Sequence, residues 1–252
     1  MDCSAVIKEL KIRPIRRLSH KENSTVFTAS REDGTVFVLR VILTHNINII
    51  SIVVQVRAAA LYMDFFVVEE EYIDGLSLQE MIDGGEEMSE ARARDIVSSI
   101  CGTLADLHAI GIIHRDVKPE HVMLTPEGKV YLIDLDAAMQ LAPEKKSDTQ
   151  LLGTAVYAAP EQFGLTRSDV RTDIYAVGIL LNILLTGVHP AVEQYRSGDL
   201  AKIIAKCTEM NPGSRYQNAS ELLTDLEHAV LSDQKTKRHR IYKIIAAACF
   251  VP

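Results

Sequence analysis

Short runs of β-branched and aromatic residues alternate with polar turns in the first part of the chain. The run STVFTAS, residues 24–30, and the run TVFVLRVIL, residues 35–43, are separated by REDG, in which Asp33-Gly34 is a pair typical of hairpin turns. A third run, DFFVVEEEYIDG, ends at the polar pair Asp74-Gly75. The pattern predicts a small antiparallel sheet over about the first 70 residues.

Helical spacing replaces this alternation further along the chain. From Ser89 onward, apolar residues recur every three or four positions, and Ser89 is placed to cap the helix with Glu90 in its first turn. We expect this helix to end near Gly111. The segments HVMLT and KVYLID flank the turn residues PEG and predict two short strands, with Asp134 at the exit of the second.

Two more helices are predicted in the second half of the chain. The segment from Asp173 to Leu185 is nearly all apolar and is followed by Thr186-Gly187, so it predicts a buried central helix that ends at the glycine. The segment SELLTDLEHAV, residues 220–230, predicts a last helix.

Composition and charge narrow the function classes. The chain has 252 residues, of which 47% are hydrophobic and 24% are charged, as is usual for a globular protein with a substantial core. A net charge of -7 disfavours nonspecific binding to nucleic acid. The four cysteines show no CxxC spacing, so they predict neither a disulfide framework nor a zinc site and favour a reducing compartment. Because no N-terminal signal peptide is visible, we expect a cytoplasmic protein.

The C-terminal segment, residues 232–252, leaves two interpretations open. A basic cluster precedes the apolar run from Ile244 to Val251, which is too short to span a bilayer because a span needs about 20 apolar residues. Basic residues before an apolar segment are typical of the cytosolic side of a membrane anchor, whose remainder would lie outside this chain. The alternative is a solvated basic tail that packs on the domain.

The stretch IIHRDVKPEHVMLT, residues 112–125, carries the candidate chemistry. Asp116 in this stretch and Asp134 further along are both expected next to short strands, where rigid neighbours hold reactive groups in register. One carboxylate can accept the proton of a substrate hydroxyl, and a second can hold Mg²⁺ against phosphate oxygens. Lys118 adds a cation that can stabilise a transferring phosphoryl group. This combination favours phosphoryl transfer.

Four segments in order along the chain resemble the motifs of the protein kinase family. HRDVKPEH resembles the catalytic loop, and IDLDAA resembles the metal-binding Asp-Phe-Gly segment. GTAVYAAPEQF resembles the end of an activation segment, and SDVRTDIYAVGILL resembles the buried central helix of the large lobe. The amino-acid sequences of these segments, including Lys118, are most similar to those of bacterial serine/threonine protein kinases.

The resemblance implies an α+β, bilobal fold. A small antiparallel N-terminal lobe is expected over residues 1–72, a larger, mainly helical C-terminal lobe over residues 73–231, and a tail over residues 232–252, with ATP in the cleft between the lobes. The implied function is transfer of the ATP γ-phosphate to serine or threonine of a protein substrate, with Mg²⁺ or Mn²⁺. The alternative is a pseudokinase, a regulatory module that binds nucleotide or protein.

The resemblance also implies roles for individual residues of the large lobe. Asp116 would be the catalytic base, Lys118 would contact phosphate, and Asp134 would be the principal magnesium ligand. The other implied roles are Arg115 as the partner of an activation-segment phosphate, Ser147 and Thr149 as the carriers of that phosphate, Thr154 in the substrate-docking turn, Glu161 paired with Arg215 as a structural brace, and Asp173 as the support of the catalytic-loop backbone.

The nucleotide-binding part departs from the family pattern. The residues expected at ATP are Arg40, Glu71, Ile73, Ser19, Lys21 and Val26. Ser19, Lys21 and Ser24 stand where the family has the glycines of its phosphate loop, so backbone approach to the nucleotide is less close. Arg40 replaces the strand lysine, and arginine and lysine are not equivalent at a tight phosphate site.

Further departures concern the acidic partners and the second metal. The segment THNINIISIVVQVRAAALYM, residues 44–63, has no glutamate, so the helix whose glutamate pairs with the strand lysine is expected to be missing or remade. His121 takes the position of a metal-binding asparagine. There its imidazole nitrogen either binds a metal, for which Mn²⁺ or Zn²⁺ suits it better than Mg²⁺, or only hydrogen-bonds to Asp116. Asp136 replaces a glycine and either binds metal or keeps the segment soluble, and Glu70 replaces an apolar residue.

Overall fold

The computed structural model describes residues 7–8, 10–21, 24–43, 56–62, 65–141, 156–163 and 167–229. The chain divides into two compact units. Of the described residues, the first unit comprises those up to Gly75 together with Asp134–Asp136, and the second comprises Leu76–Ile133 and those from Ala137 onward.

The first unit is built on a five-stranded antiparallel sheet with the strand order β1-β2-β3-β5-β4. Its strands are β1 (Arg13–Lys21), β2 (Ser24–Ser30), β3 (Val36–Leu43), β4 (Val56–Tyr62) and β5 (Phe65–Glu71). The predicted β2–β3 hairpin is confirmed: Gly34 has a φ of 85°, and its N–H donates to the Arg31 carbonyl. Glycine is favoured there because the left-handed region excludes most side chains.

Side-chain alternation along β3 gives the sheet a core face and a second face. Phe37, Leu39 and Val41 are buried in one hydrophobic cluster with Ala29 and Val67. Because successive strand residues point to opposite faces, Arg40 projects from the other side of the sheet. The apolar alternation therefore fixes where the arginine lies.

The segment expected to lack a helix is described in part. Residues 56–62 form β4, an edge strand antiparallel to β5, while residues 44–55 lie outside the described residues. The small antiparallel sheet predicted from the sequence is confirmed, and β4 adds a strand that the apolar pattern did not define.

The second unit is mainly helical. Its helices are α1 (Leu78–Asp83), α2 (Glu90–Ala109), α3 (Val170–Thr186) and α4 (Gly198–Cys207), with a further helical stretch at residues 219–229. Its short strands are β6 (Leu76–Ser77), β7 (Ile112–Ile113), β8 (Val122–Leu124), β9 (Val130–Leu132) and β10 (Met139–Gln140), paired as β6-β8-β9 and β10-β7. Short 3₁₀ helices cover Pro119–His121, Pro160–Phe163 and Pro212–Ser214.

Capping residues define the two long helices. The Ser89 hydroxyl accepts a hydrogen bond from the Arg92 N–H at 3.2 Å, so the predicted N-terminus of α2 is confirmed. Helix α3 begins three residues before the apolar run, because Asp169 caps it with a capping box. It ends at Gly187, which has a φ of 76° as predicted for a glycine cap.

Helices α3 and α4 approach each other closely at Gly178. A Cβ atom at this position would lie 2.4 Å from the Cβ of Cys207, at the end of α4. The side chains around this contact, including Ile174, Leu181 and Ile204, are buried. The contact therefore requires a residue without a side chain in the middle of α3.

The mixed α+β class predicted from the sequence is confirmed. Among the described residues, no helix has both the length and the apolar content needed to cross a bilayer. The tail at residues 232–252, for which two interpretations were open, lies outside the described residues.

Candidate active site

The loop after β7 brings together the candidate base and a cation. The Asp116 carboxylate lies 3.1 Å from the Lys118 Nζ, and both side chains are largely buried. His121 Nδ1 is 2.9 Å from the Asp116 carbonyl oxygen and 3.3 Å from the Asp116 carboxylate. The loop therefore holds a carboxylate between a lysine and an imidazole. The sequence left two roles open for His121, and its contact with Asp116 corresponds to the role in which it only hydrogen-bonds to Asp116.

Asp173, in the first turn of α3, supports the backbone of this loop. Its Oδ1 accepts a hydrogen bond from the Arg115 N–H at 2.7 Å, and its Oδ2 accepts one from the His114 N–H at 2.9 Å. His108 Nε2 lies 2.8 Å from the same Oδ2, and the Gln162 amide donates to the Arg115 carbonyl at 2.9 Å. His108 and Gln162 were not singled out from the sequence, because nothing in a helix end or in APEQF marks them.

Arg115 has a buried side chain and an unusual backbone. Its φ is 69°, in the left-handed region, and its Nη1 lies 3.5 Å from the Met139 sulfur. The expected phosphate carriers and the docking-turn residue, Ser147, Thr149 and Thr154, lie outside the described residues.

Glu161 and Arg215 form a bidentate ion pair in the interior of the second unit. Their two N–O distances are 2.8 Å and 3.0 Å, and their side chains are 3% and 0% exposed. The Thr172 hydroxyl donates to Glu161 at 2.9 Å, and Arg215 also donates to the carbonyls of Glu209 and Arg171. The hydrogen bonds compensate for the loss of solvent around both charges.

Tyr157 lies beside the catalytic loop, although the sequence did not mark it as a site residue. Burial, together with the smaller effect of the charges of Glu120 and Asp116, raises the pKa of Tyr157 to about 12. Its phenol therefore remains neutral at physiological pH and presents no charge to Asp116.

In the first unit, Arg40 is surrounded by carboxylates. Arg40 is 7% exposed, its Nε lies 2.7 Å from Glu70, and its Nη1 lies 2.8 Å from Asp136 and 3.7 Å from Asp134. Burial alone would lower the pKa of the guanidinium, but the charges of Glu70, Asp136 and Asp134 outweigh burial and raise this pKa above its usual value. Arg40 is thus a fixed positive charge.

Strand register explains why Glu70 reaches Arg40. Arg40 on β3 lies opposite Val68 on β5, and Glu70 follows two residues later on the same face. Such diagonal neighbours are within reach of long side chains. Asp134 has a φ of 64° and accepts a hydrogen bond from the Asp136 N–H at 3.1 Å. Asp136 thus pairs with Arg40, a role that neither sequence interpretation anticipated.

The other residues expected at the nucleotide also belong to the first unit. Val26, directly opposite Arg40 on β2, and Ile73 are buried, whereas Glu71 is exposed at the end of β5. Ser19 and Lys21 lie on β1, where the structure describes their backbone pairing with β2.

Asp134 and Asp136 fit the way in which proteins hold Mg²⁺. Among the described residues, no group of three or more histidine, cysteine, aspartate or glutamate side chains forms a complete metal cage. Mg²⁺ usually keeps several waters and binds one or two carboxylates together with substrate phosphates, so a complete protein cage is not required. Two adjacent carboxylates are a sufficient donor set for this mode.

Comparisons with known proteins find relatives that are named serine/threonine-protein kinases. The chain is 33% identical over 181 residues to the serine/threonine-protein kinase PknB of Mycobacterium tuberculosis, covering 62% of this chain and 29% of that protein. It is 32% identical over 182 residues to a probable serine/threonine-protein kinase of Streptomyces coelicolor, covering 62% and 27%. A probable serine/threonine-protein kinase of Clostridium perfringens is 31% identical over 198 residues, covering 69% and 29%.

The matches cover less than a third of the length of each of these relatives. The family resemblance predicted from the motifs is confirmed by a match to the sequence model of the protein kinase domain over residues 12–250. Because this match spans nearly the whole chain, the protein belongs to the protein kinase domain family.

Proposed function

We propose that this chain transfers the γ-phosphate of ATP to serine or threonine hydroxyls of protein substrates, with Mg²⁺ or Mn²⁺ as the metal. The observation that carries the proposal is the pairing of Asp116 with Lys118 at 3.1 Å, on a loop whose backbone is hydrogen-bonded to Asp173. A carboxylate and an ammonium held together on a braced loop meet the needs of phosphoryl transfer, which depends on positioning and electrostatics.

Asp116 acts as the base in this proposal. Its carboxylate orients the substrate hydroxyl and accepts its proton as the hydroxyl oxygen bonds to the γ-phosphorus and the bond to the bridging oxygen of ADP breaks. Lys118 stabilises negative charge on the transferring group. His121, through its contacts with the backbone and carboxylate of Asp116, supports the position of the base. The same contacts favour this role over metal binding.

The first unit supplies the nucleotide-binding groups. Arg40 binds phosphate oxygens, and Asp134 holds the metal, with Asp136 beside it. Bound metal neutralises phosphate charge and orients the γ-phosphate. Val26 and Ile73 contribute apolar surface for the adenine, and Ser19, Lys21 and Glu71 contribute backbone or side-chain contacts from β1 and β5.

Serine and threonine are the proposed acceptors because of Lys118 and the relatives. The lysine two residues after Asp116 is similar to the serine/threonine branch of the family, and the relatives described above are named serine/threonine-protein kinases. Phosphorylation of Ser147 or Thr149, followed by pairing of the phosphate with Arg115, is the proposed activation step, and Thr154 lies in the proposed docking turn.

The proposal is tested by incubating the full chain with γ-labelled ATP and a serine- and threonine-containing protein, in Mg²⁺ and separately in Mn²⁺. We expect label on phosphoserine or phosphothreonine after acid hydrolysis, and none when the metal is chelated. A folded chain that transfers no label with either metal, and whose thermal midpoint ATP does not raise, would overturn the proposal and identify a pseudokinase.

A further inference from the structure

Arg40 obtains its acidic partner from an unexpected place in the chain. Between Arg40 and Glu69 the sequence contains no glutamate, so a helix glutamate from this stretch cannot pair with Arg40. In the structure, Glu70 on β5 makes the direct contact, with 2.7 Å between its Oε1 and the Arg40 Nε. The partner therefore comes from the neighbouring strand of the same sheet.

We propose that Glu70 is the positioning residue for Arg40, and that with Asp136 it fixes the guanidinium for contact with nucleotide phosphates. This inference rests on the proposed function, in which Arg40 binds ATP. It assigns to β5 the task that protein kinases give to a helix glutamate. An ion pair inside one sheet is set by strand register and does not depend on the movement of a helix.

The shape of arginine explains how the two carboxylates share it. A guanidinium carries five N–H donors in one plane. Glu70 accepts at Nε and Asp136 accepts at Nη1, so two contacts from different segments define both the position and the plane of the group. A lysine ammonium has one nitrogen and cannot present two separated donor positions. The same geometry accounts for arginine where the family has lysine.

The contacts of Glu70 and Asp136 with Arg40 also affect the neighbouring Asp134 carboxylate. Glu70 and Asp136 lie within hydrogen-bond distance of Arg40, whereas Asp134 is 3.7 Å from Nη1, beyond that distance. The contact of Glu70 with Nε restrains the guanidinium and so counteracts the pull of Asp134 on Nη1. Glu70 thereby keeps Arg40 from competing with a metal for the Asp134 carboxylate.

The neighbouring residue on β5 provides a matched control. Glu69 also forms an arginine pair, with Arg31 at 2.9 Å and 2.5 Å, but from the opposite face of the sheet and with a half-exposed arginine. Substitution of Glu69 by glutamine removes the same charge from the same strand and leaves Arg40 untouched. A purely electrostatic or strand-stability effect would appear in both variants.

The decisive comparison is between the full chains carrying Glu70→Gln and Glu69→Gln. We expect Glu70→Gln to weaken Mg·ATP binding by calorimetry, and to raise KM for ATP, by at least about tenfold, the worth of one charge-assisted hydrogen bond. KM for the protein substrate should stay near its wild-type value. In the nucleotide-free chain, the Arg40 Nε–H resonance should lose its protection from solvent exchange in Glu70→Gln and keep it in Glu69→Gln.

The outcomes separate this inference from the proposed function. If the wild type binds ATP and transfers phosphate but Glu70→Gln behaves as Glu69→Gln does, this inference alone is overturned. If the wild type neither binds nor transfers, the proposed function is overturned and this inference with it. Should Glu70→Gln not fold, Glu70→Asp decides: its carboxylate is one methylene short of Nε, so ATP affinity must fall, and unchanged affinity and unchanged Nε–H protection would overturn the inference.

Discussion

The Asp173 carboxylate accepts a hydrogen bond from the backbone N–H of Arg115 at 2.7 Å, at a residue whose φ is 69°. A left-handed backbone costs a residue with a side chain roughly 1–2 kcal/mol. Two hydrogen bonds from backbone N–H groups to a buried carboxylate, each worth about 1.5–3 kcal/mol, offset this cost. Asp173 thus stabilises the conformation that presents Asp116.

Asp173→Asn should therefore damage both the fold and the catalytic loop. The amide has one acceptor oxygen where the carboxylate has two, so we expect a loss of about 2–3 kcal/mol in the free energy of unfolding. The rate of phosphoryl transfer should fall more than nucleotide affinity, because the loop that holds Asp116 shifts. Urea unfolding and steady-state kinetics measure the two effects.

Asp169→Asn is the control for Asp173→Asn. Asp169 caps the same helix, and asparagine is an equally good N-cap. This variant should keep its transfer rate, and its stability should change by less than about 1 kcal/mol. Equal effects of the two substitutions would contradict the role assigned to Asp173.

The buried pair of Glu161 and Arg215 should be necessary for stability. Glu161→Gln or Arg215→Met leaves a charge or a set of donors uncompensated in the interior, which costs about 3–5 kcal/mol. The exposed pair of Lys202 and Asp199 serves as the comparison, and Lys202→Gln should change stability by less than about 0.5 kcal/mol. Similar effects on stability in calorimetry or urea unfolding for the buried and exposed pairs would show that the brace is unimportant.

Glycine to alanine substitutions at two helical sites should have opposite effects. Gly178→Ala places a Cβ 2.4 Å from Cys207 and should destabilise the chain by about 1–3 kcal/mol. Gly102→Ala in α2 meets nothing within 4 Å and should stabilise it by up to about 1 kcal/mol, because alanine favours a helix. Thermal midpoints of the two variants that move in the same direction would contradict the close approach of α3 and α4.

Cys101 should make stability depend on alkaline pH. Burial raises the pKa of the Cys101 thiol from 9.0 to about 12. The folded-state pKa lies above the unfolded value. The contribution of the buried, protonated thiol to the free energy of unfolding is therefore fully present below pH 9 and is lost as the pH rises from 9 to about 12. Cys101→Ala should flatten the stability profile over this range.

Alkylation provides an independent measure of the same burial. At pH 8 the buried thiol remains protonated, so iodoacetamide should modify Cys101 in guanidinium chloride and not in the folded chain. Mass spectrometry of peptides identifies the modified residue. Rapid modification of Cys101 in the folded chain would mean that the thiol is accessible.

Periodicity predicted most of the architecture because each element carries its own local pattern. The apolar alternation in residues 24–43 and the capping serine before α2 specify structure from neighbouring residues alone. The apolar run predicts the start of α3 at Asp173, whereas the helix begins at Val170, because Asp169 and the polar first turn lie before that run. Local sequence signals therefore predict these strands and helices but misplace the start of α3.

The surroundings of Arg40 could not be predicted in this way. Glu70 is 30 positions away and Asp136 is 96 positions away, so their contacts depend on strand register and on the left-handed turn at Asp134. The sequence showed Arg40 without its usual glutamate partner, Glu70 without an assigned role and Asp136 with two alternative roles. In the structure, Glu70 and Asp136 both form hydrogen bonds with Arg40.

Asp116→Asn tests the central claim most directly. In the full chain with γ-labelled ATP and saturating metal, we expect kcat for transfer to fall by about 10²–10⁴, the usual worth of a catalytic base. The affinity for Mg·ATP should remain that of the wild type, because Arg40 and Asp134 are unchanged. A variant that transfers phosphate at the wild-type rate would contradict the account.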